Sequence, residues 1–268
     1  MPLRVGFDLD GTVADMYSAL HREAVKLFGE EVLRKAAYKD KKPTGAGTRE
    51  LGTGHTQSKA ATGGGERATP KNQATEESAK PDEDATTNLA MEELHLTARQ
   101  QTQLWAHVKR VENFWATLPE LEPGIIARIA KAAHERRWEV IFLTTRPATA
   151  GDLVQIQSQQ WLAAHGFQYP SVFVVQRSRG KIADALHLDA FVDDRPENCL
   201  DIAVESTAKV ILIWHGDLKD VPAGAKRMGV RAVNRISEAM LLLEQLDDIR
   251  NQPSLMRTIK RAFGAADK

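Results

Sequence analysis

Two aspartates two positions apart, Asp8 and Asp10, close a short apolar run in LRVGFDLDGT near the start of the chain. Carboxylates at that spacing share a face of an ideal strand. The Gly11 that follows permits a sharp turn, which leaves Asp10 on a loop. A second pair, Asp193 and Asp194, closes another apolar run in AFVDDRP. Between the two pairs, FLTTRP places Thr144, Thr145 and Arg146 at the end of a third run, and RSRGK supplies Arg177, Arg179 and Lys181. Four carboxylates brought together repel one another strongly unless they are paired. A hard divalent cation relieves that conflict, and oxygen donors of this kind suit magnesium. A dication, the Lys181 ammonium and a threonine hydroxyl together describe a phosphate pocket. Phosphoryl transfer needs little beyond positioning and charge neutralisation of this kind. One carboxylate can attack phosphorus to give an aspartyl-phosphate, while another protonates the leaving oxygen and later activates water.

These residues meet only if their strands end on one edge of one sheet, and the surrounding pattern provides for that. LRVGFD, WEVIFLTT, SVFVV, AFVDD, AKVILIWH and GVRAV read as short buried strands. Between them PGIIARIAKAAHERR, Leu153 to His165, GKIADALHL, PENCLDIAVES and ISEAMLLLEQLDDI read as helices. Strands alternating with helices imply an α/β fold with a parallel sheet covered on both faces, and ligands there sit outside the carboxyl ends of the strands. Leu20, Ala24, Leu27 and Phe28 form a helical stripe, as do Leu104, Val108, Val111, Trp115 and Leu118. Between the stripes, 36–94 is rich in Gly, Thr, Ala, Lys, Glu and Pro and poor in large apolar residues. Such a segment buries too little to offset its ordering entropy, so a disordered insertion at the edge of the fold is expected. The organisation expected is a catalytic core from 1–15 and 119–250, a helical cap from 16–35 and 95–118, and a tail from 251–268. The tail's SLMRTIKRAF has the pattern of a basic amphipathic helix, which could bind a membrane or a partner, though docking on its own domain or fraying is the reading preferred.

Composition bounds the partners. The 268 residues are 42% hydrophobic, with 36 basic and 36 acidic side chains, so no global field favours nucleic acid or an anionic membrane. The single cysteine, Cys199, excludes a disulfide within the chain and a cysteine-rich zinc site. No apolar run approaches the roughly 20 residues of a membrane span. A cytoplasmic protein with a small phosphorylated substrate, no stable nucleic-acid partner and no membrane partner is expected. Cys199 reads as a small buried residue and His215, after a strand, as a structural histidine.

The motifs carry a resemblance. FDLDGT resembles motif one of the haloacid dehalogenase (HAD) superfamily and VDDRPEN its motif four, with FLTTRP and RSRGK in the places of motifs two and three. The resemblance implies a HAD-like Rossmannoid three-layer fold with a small helical cap carrying the insertion. It implies Asp8 as nucleophile and metal ligand, and Asp10 as general acid/base with its backbone carbonyl on Mg2+. Asp193 would be a direct metal ligand, with Asp194 a second ligand or its anchor. Lys181 would neutralise phosphate and Asp8, with Arg179 and Arg146 among the phosphate-binding groups. The motif-two hydroxyl is Thr144 or Thr145. An acid at the place of Asp10 marks the superfamily's phosphatases rather than its dehalogenases. NFWATLPELEPG, Arg179 with Lys181, and VDDRPEN are most similar to the 5'(3')-deoxyribonucleotidase branch. That likeness implies a nucleoside monophosphate substrate, with Trp115 either stacking on the base or packing in the cap. Another small phosphorylated metabolite, or a non-catalytic binding module on the same fold, are the alternatives.

Overall fold

The structure, a computed structural model, describes residues 2–31, 33 and 94–251. The low-complexity stretch 36–94, apart from Leu94, lies outside the described residues, as does the basic segment Ser254–Phe263.

Six apolar runs become strands: β1 (Arg4–Asp8), β2 (Glu139–Thr144), β3 (Ser171–Val174), β4 (Ala190–Asp193), β5 (Lys209–Ile213) and β6 (Arg231–Val233). They form one parallel sheet in the order β3-β2-β1-β4-β5-β6. β1 is central, pairing Asp8 with Leu143 on one side and Phe7 with Val192 on the other. Strands in such a sheet are covered on both faces, which is why AFVD is buried at every position.

Helices α1 (Met16–Phe28), α2 (Ala98–Val108), α3 (Ile125–Arg136) and α4 (Val154–Ala164) contribute to an apolar cluster with Val5, Phe7, Phe142 and Val192. Helices α5 (Arg179–Ala185), α6 (Pro196–Glu205) and α7 (Ala223–Arg227) build a second cluster with Leu143, Phe191 and Leu212. The last helix, α8 (Ile236–Asn251), returns to the first cluster. The result is the expected three-layer α/β fold. Full burial of a side chain such as Phe7 or Phe142 is worth roughly 1.5–3 kcal/mol. Strand order reverses between β1 and β4, so the crevice above their carboxyl ends is where a ligand belongs.

The two helices expected to form a cap pack on each other and share the first cluster with the sheet, through Ala19, Leu20 and Ala24 of α1 and Leu104 and Val108 of α2. Asp15 caps α1, accepting from Ser18 N at 2.9 Å, and Thr97 with Gln100 forms a capping box on α2. The buried Glu23 joins them, 3.1 Å from His107 Nε2 and 2.8 Å from Lys26 Nζ. No described helix is long and apolar enough to cross a membrane.

Candidate active site

Asp8 is the last residue of β1 and is only 2% exposed. Facing it is a guanidinium: Arg179 Nη2 lies 2.6 Å from Asp8 Oδ1, and Arg179 Nη1 lies 3.4 Å from Oδ2 of the fully buried Asp193. Arg179 therefore ties the ends of β1 and β4 together. Its own place is fixed by the start of α5. Ser178 caps the helix and donates to Asp201 at 2.9 Å, and the Gly180 N–H donates to the same carboxylate at 2.8 Å. Gly180 lies so close to α6 that an added Cβ would fall 2.3 Å from the Asp201 carbonyl oxygen. Asp193 also accepts from Arg195 N at 2.9 Å and from Asn198 Nδ2 at 3.1 Å.

The charge balance remains negative. Burial pushes Asp8 up to about 7; Arg179 opposes that shift, while Asp193 and Asp10 add to it. Burial raises Asp193 against the pull of Arg179, and raises Asp194 well above the usual carboxylate range with Asp193 and Asp8 adding to it. Burial works against the Arg179 charge, but Asp8 and Asp193 outweigh it and hold the group above its ordinary value.

Asp10 belongs to a second pair. Arg146 Nε lies 2.8 Å from Asp10 Oδ2 and Arg146 Nη2 lies 2.8 Å from Oδ1, a forked contact between buried groups. Thr144 Oγ1 donates to Asp10 Oδ2 at 3.3 Å and accepts from Arg146 N at 3.2 Å, so this hydroxyl is engaged inside the pair. Thr145 beside it is partly exposed.

Two expectations change at this point, and an open alternative is narrowed. Arg146, expected on phosphate, has no side-chain exposure and is spent on Asp10. Lys181, expected on Asp8, is exposed on α5, where its backbone N–H donates to Ser178, and Arg179 takes that place. Successive helical residues turn by about 100°, so positions 179 and 181 face opposite ways. Trp115 is 1% exposed, in a 3₁₀ turn at Phe114–Thr117. Its ring covers the Arg146 guanidinium at 4.9 Å, and its Nε1–H donates to the Pro147 carbonyl at 2.9 Å. Packing, not base stacking, is its role here.

Asp194 completes the edge and contacts Thr12, whose hydroxyl lies 3.4 Å from Oδ1. Gly11 sits against it at φ +79°, where an added Cβ would lie 2.2 Å from Asp194 Oδ2. His215 Nε2 is 2.8 Å from the Gly11 carbonyl, which can only accept, so it holds this loop from β5. The Cys199 thiol is buried, lies 3.9 Å from the Asp193 carbonyl and is pushed well up by burial, so it is inert as a nucleophile.

Two buried polar atoms of this site have no hydrogen-bond partner: Asp8 Oδ2 and Arg179 Nη1. Such atoms cost about 1–3 kcal/mol each, more when charged, so they mark places where a ligand supplies the missing contact. The carboxylate oxygen fits a hard cation, and the guanidinium N–H fits an anionic oxygen. Among the described residues no three acid, imidazole or thiol groups stand arranged to hold a metal ion as they are. The donor chemistry nevertheless suits Mg2+, with Asp8, Asp193, Asp194 and the Asp10 carbonyl as the groups that would hold it. Arg179's bridging role, Ser158, Asn198 and Asp201 were not foreseen from the sequence. The i, i+4 pair Arg179 and Ala183, both buried on one face of α5, is the signal that could have found the first.

No family model and no curated protein sequence matches the chain. Solved structures with a similar arrangement include a haloacid dehalogenase-like family hydrolase from Xanthomonas campestris, at 16% identity, covering 94% of this chain and 98% of that one with a TM-score of 0.43. Another is a haloacid dehalogenase-like family hydrolase from Streptococcus pneumoniae, at 12% identity, 90% and 98% coverage and a TM-score of 0.45. A third, described as a predicted phosphatase from Clostridium acetobutylicum, has 12% identity, 91% and 99% coverage and a TM-score of 0.47.

Proposed function

We propose that the chain is a HAD-type, Mg2+-dependent phosphomonoester hydrolase working through an aspartyl-phosphate on Asp8. The observation that carries this reading is a pair of buried atoms without a hydrogen bond beside the end of the central strand, Asp8 Oδ2 and Arg179 Nη1, the latter with only the 3.4 Å ion pair to Asp193. The first fits a cation, and the guanidinium fits an anionic oxygen such as a phosphoryl group offers. Bound Mg2+ would supply charge neutralisation for the phosphoryl oxygens and for Asp8.

The chain's own groups divide the rest of the work. Arg179 orients Asp8 and receives a phosphoryl oxygen, and the partly exposed Thr145 is better placed to meet substrate than the fully buried Thr144. Asp8 attacks phosphorus, the ester P–O bond breaks, and the leaving oxygen takes a proton from Asp10. Water then gives a proton to Asp10 as its oxygen attacks phosphorus. Asp8 is released and inorganic phosphate leaves. Nucleoside monophosphates remain the first substrates to examine, on the likeness of Arg179 with Lys181 and of VDDRPEN to the nucleotidase branch. With Trp115 buried, base stacking there is not part of the proposal.

The test is a panel of nucleoside monophosphates, sugar phosphates and 4-nitrophenyl phosphate, assayed for released phosphate with Mg2+ and with a chelator. Turnover that needs Mg2+ and vanishes in Asp8→Asn is expected. No turnover of any ester by correctly folded protein, or activity surviving in Asp8→Asn, overturns the reading.

A further inference from the structure

We propose that Arg146 is the positioning residue of Asp10, held in a rigid box of two indoles and a serine, and that Asp10 works on the leaving group only while Arg146 aims it. The inference rests on the phosphomonoester reading above and goes beyond it, because it assigns an arginine expected on the substrate to the acid/base instead.

Every polar nitrogen of the Arg146 side chain is occupied. Nε and Nη2 engage Asp10 at 2.8 Å, and Nη1 donates to the buried Ser158 Oγ at 2.9 Å. Its faces are occupied too, with the guanidinium carbon 4.9 Å from the Trp115 ring centroid and 5.9 Å from that of Trp161. Neither indole is free to swing aside. Trp115 Nε1–H is tied to the Pro147 carbonyl at 2.9 Å and Trp161 Nε1–H to the Leu118 carbonyl at 2.7 Å. A guanidinium confined in this way cannot reach out to a phosphate. Both of its fork contacts go to Asp10, which sits two residues beyond the nucleophile in a turn whose backbone is held by an isolated bridge to Ala14 and whose side chain has only Thr144 as a further contact among those described.

Arginine suits this task because its planar fork grips both carboxylate oxygens while its faces lie against flat rings. A lysine offers a point charge that can neutralise Asp10 without setting its direction. Acid/base transfer depends on that direction, since a displacement of about 1 Å can cost on the order of a hundredfold in rate. The dependence is selective. When Asp8 displaces an alkoxide, the leaving oxygen must receive a proton from Asp10. When it displaces 4-nitrophenolate, a stable anion departs and no proton is needed in that half-reaction. Hydrolysis of the aspartyl-phosphate requires Asp10 for both substrates.

The experiment compares wild type and Arg146→Lys in single-turnover and pre-steady-state kinetics with 4-nitrophenyl phosphate and with an alkyl phosphate. In the variant, the nitrophenol burst should keep a rate within about threefold of wild type and be followed by a slowed steady state. Single-turnover cleavage of the alkyl ester should fall at least tenfold, with the affinity for both esters, read from the concentration dependence of the single-turnover and burst rates, within about twofold. Equal losses for the two esters in the first half-reaction, or a loss of that affinity that accounts for the slower cleavage, would overturn the assignment. Ser158→Ala removes only the Nη1 acceptor and serves if Arg146→Lys does not fold. It should show the same selectivity at about threefold, and equal effects on the two esters would again refute the proposal. A wild type that cleaves neither ester defeats the phosphatase reading itself, which is a different result from loss of selectivity.

Discussion

Replacing Asp8 by asparagine should make the protein more stable, and only where Asp8 would otherwise be charged. Folding moves this carboxyl from 3.8 to about 7, chiefly by burial. Between those values the folded state binds the proton more tightly, so the wild type loses stability as pH rises through this window. Each unit is worth about 1.4 kcal/mol, so the full cost above pH 7 is about 4 kcal/mol. Asparagine has nearly the same shape and no charge to desolvate. For an ordered region of this size, 1 kcal/mol moves the Tm by roughly 2–4 °C, giving a gain of about 8–16 °C above pH 7. The assay is thermal melting of both proteins in a chelating buffer from pH 4 to 8. The difference in Tm should be small at pH 4, grow through the window and level off above about pH 7.5. An asparagine amide turned the wrong way toward Arg179 would shift the whole curve without changing its slope. A difference that does not change with pH would refute the reasoning. Millimolar Mg2+ should narrow the gap, because a ligand of the charged site stabilises the wild type alone.

Trp115→Ala should cost about 3–5 kcal/mol of stability, as loss of a buried large aromatic does, and denaturant melting should show it. Its effect on KM should be the same for nucleotides and for simple esters; a loss confined to nucleotides would restore base stacking. Gly180→Ala places a Cβ 2.3 Å from the Asp201 carbonyl and should displace the start of α5 with Arg179, lowering kcat at least tenfold in steady-state assays while the other strands stay paired. Glu23 is raised by burial, but the hydrogen bonds from Lys26 and His107 outweigh this and lower it below 4.5. A depressed folded value stabilises above the unfolded one, so this contribution is lost as pH falls below about 4.5. Hydrogen exchange should show the contact between α1 and α2 loosening there, and Glu23→Gln should remove the acid sensitivity of that contact.

Strand ends were the most legible part of the sequence. An apolar run that stops at an acid, as in VGFD and AFVD, has one physical reading in a doubly covered sheet, so Asp8 and Asp193 were placed together without coordinates. Partnerships among charged groups were harder, because charge alone does not reveal direction. Arg146, Arg179 and Lys181 are equally cationic on paper. What separates them is the phase of α5, which turns Lys181 to water, and the indole walls that confine Arg146. Those walls come from Trp115 and Trp161, on different elements that meet only in three dimensions. The stripe Leu104, Val108, Val111 and Trp115 did signal packing for the tryptophan, but helix α2 ends at Val108 and the ring arrives through a 3₁₀ turn.

The central position of β1 has a consequence in time. Its partners β2 and β4 are made long after it, and Thr12 must wait 182 positions for Asp194. At roughly 5–20 residues per second, that is on the order of 10–40 seconds of synthesis. For most of that interval LRVGFD has neither strand neighbour and Asp8 has no arginine, so a segment made well before its partners is among the last to be satisfied. A chain built in this order depends on whatever shields an apolar strand during translation.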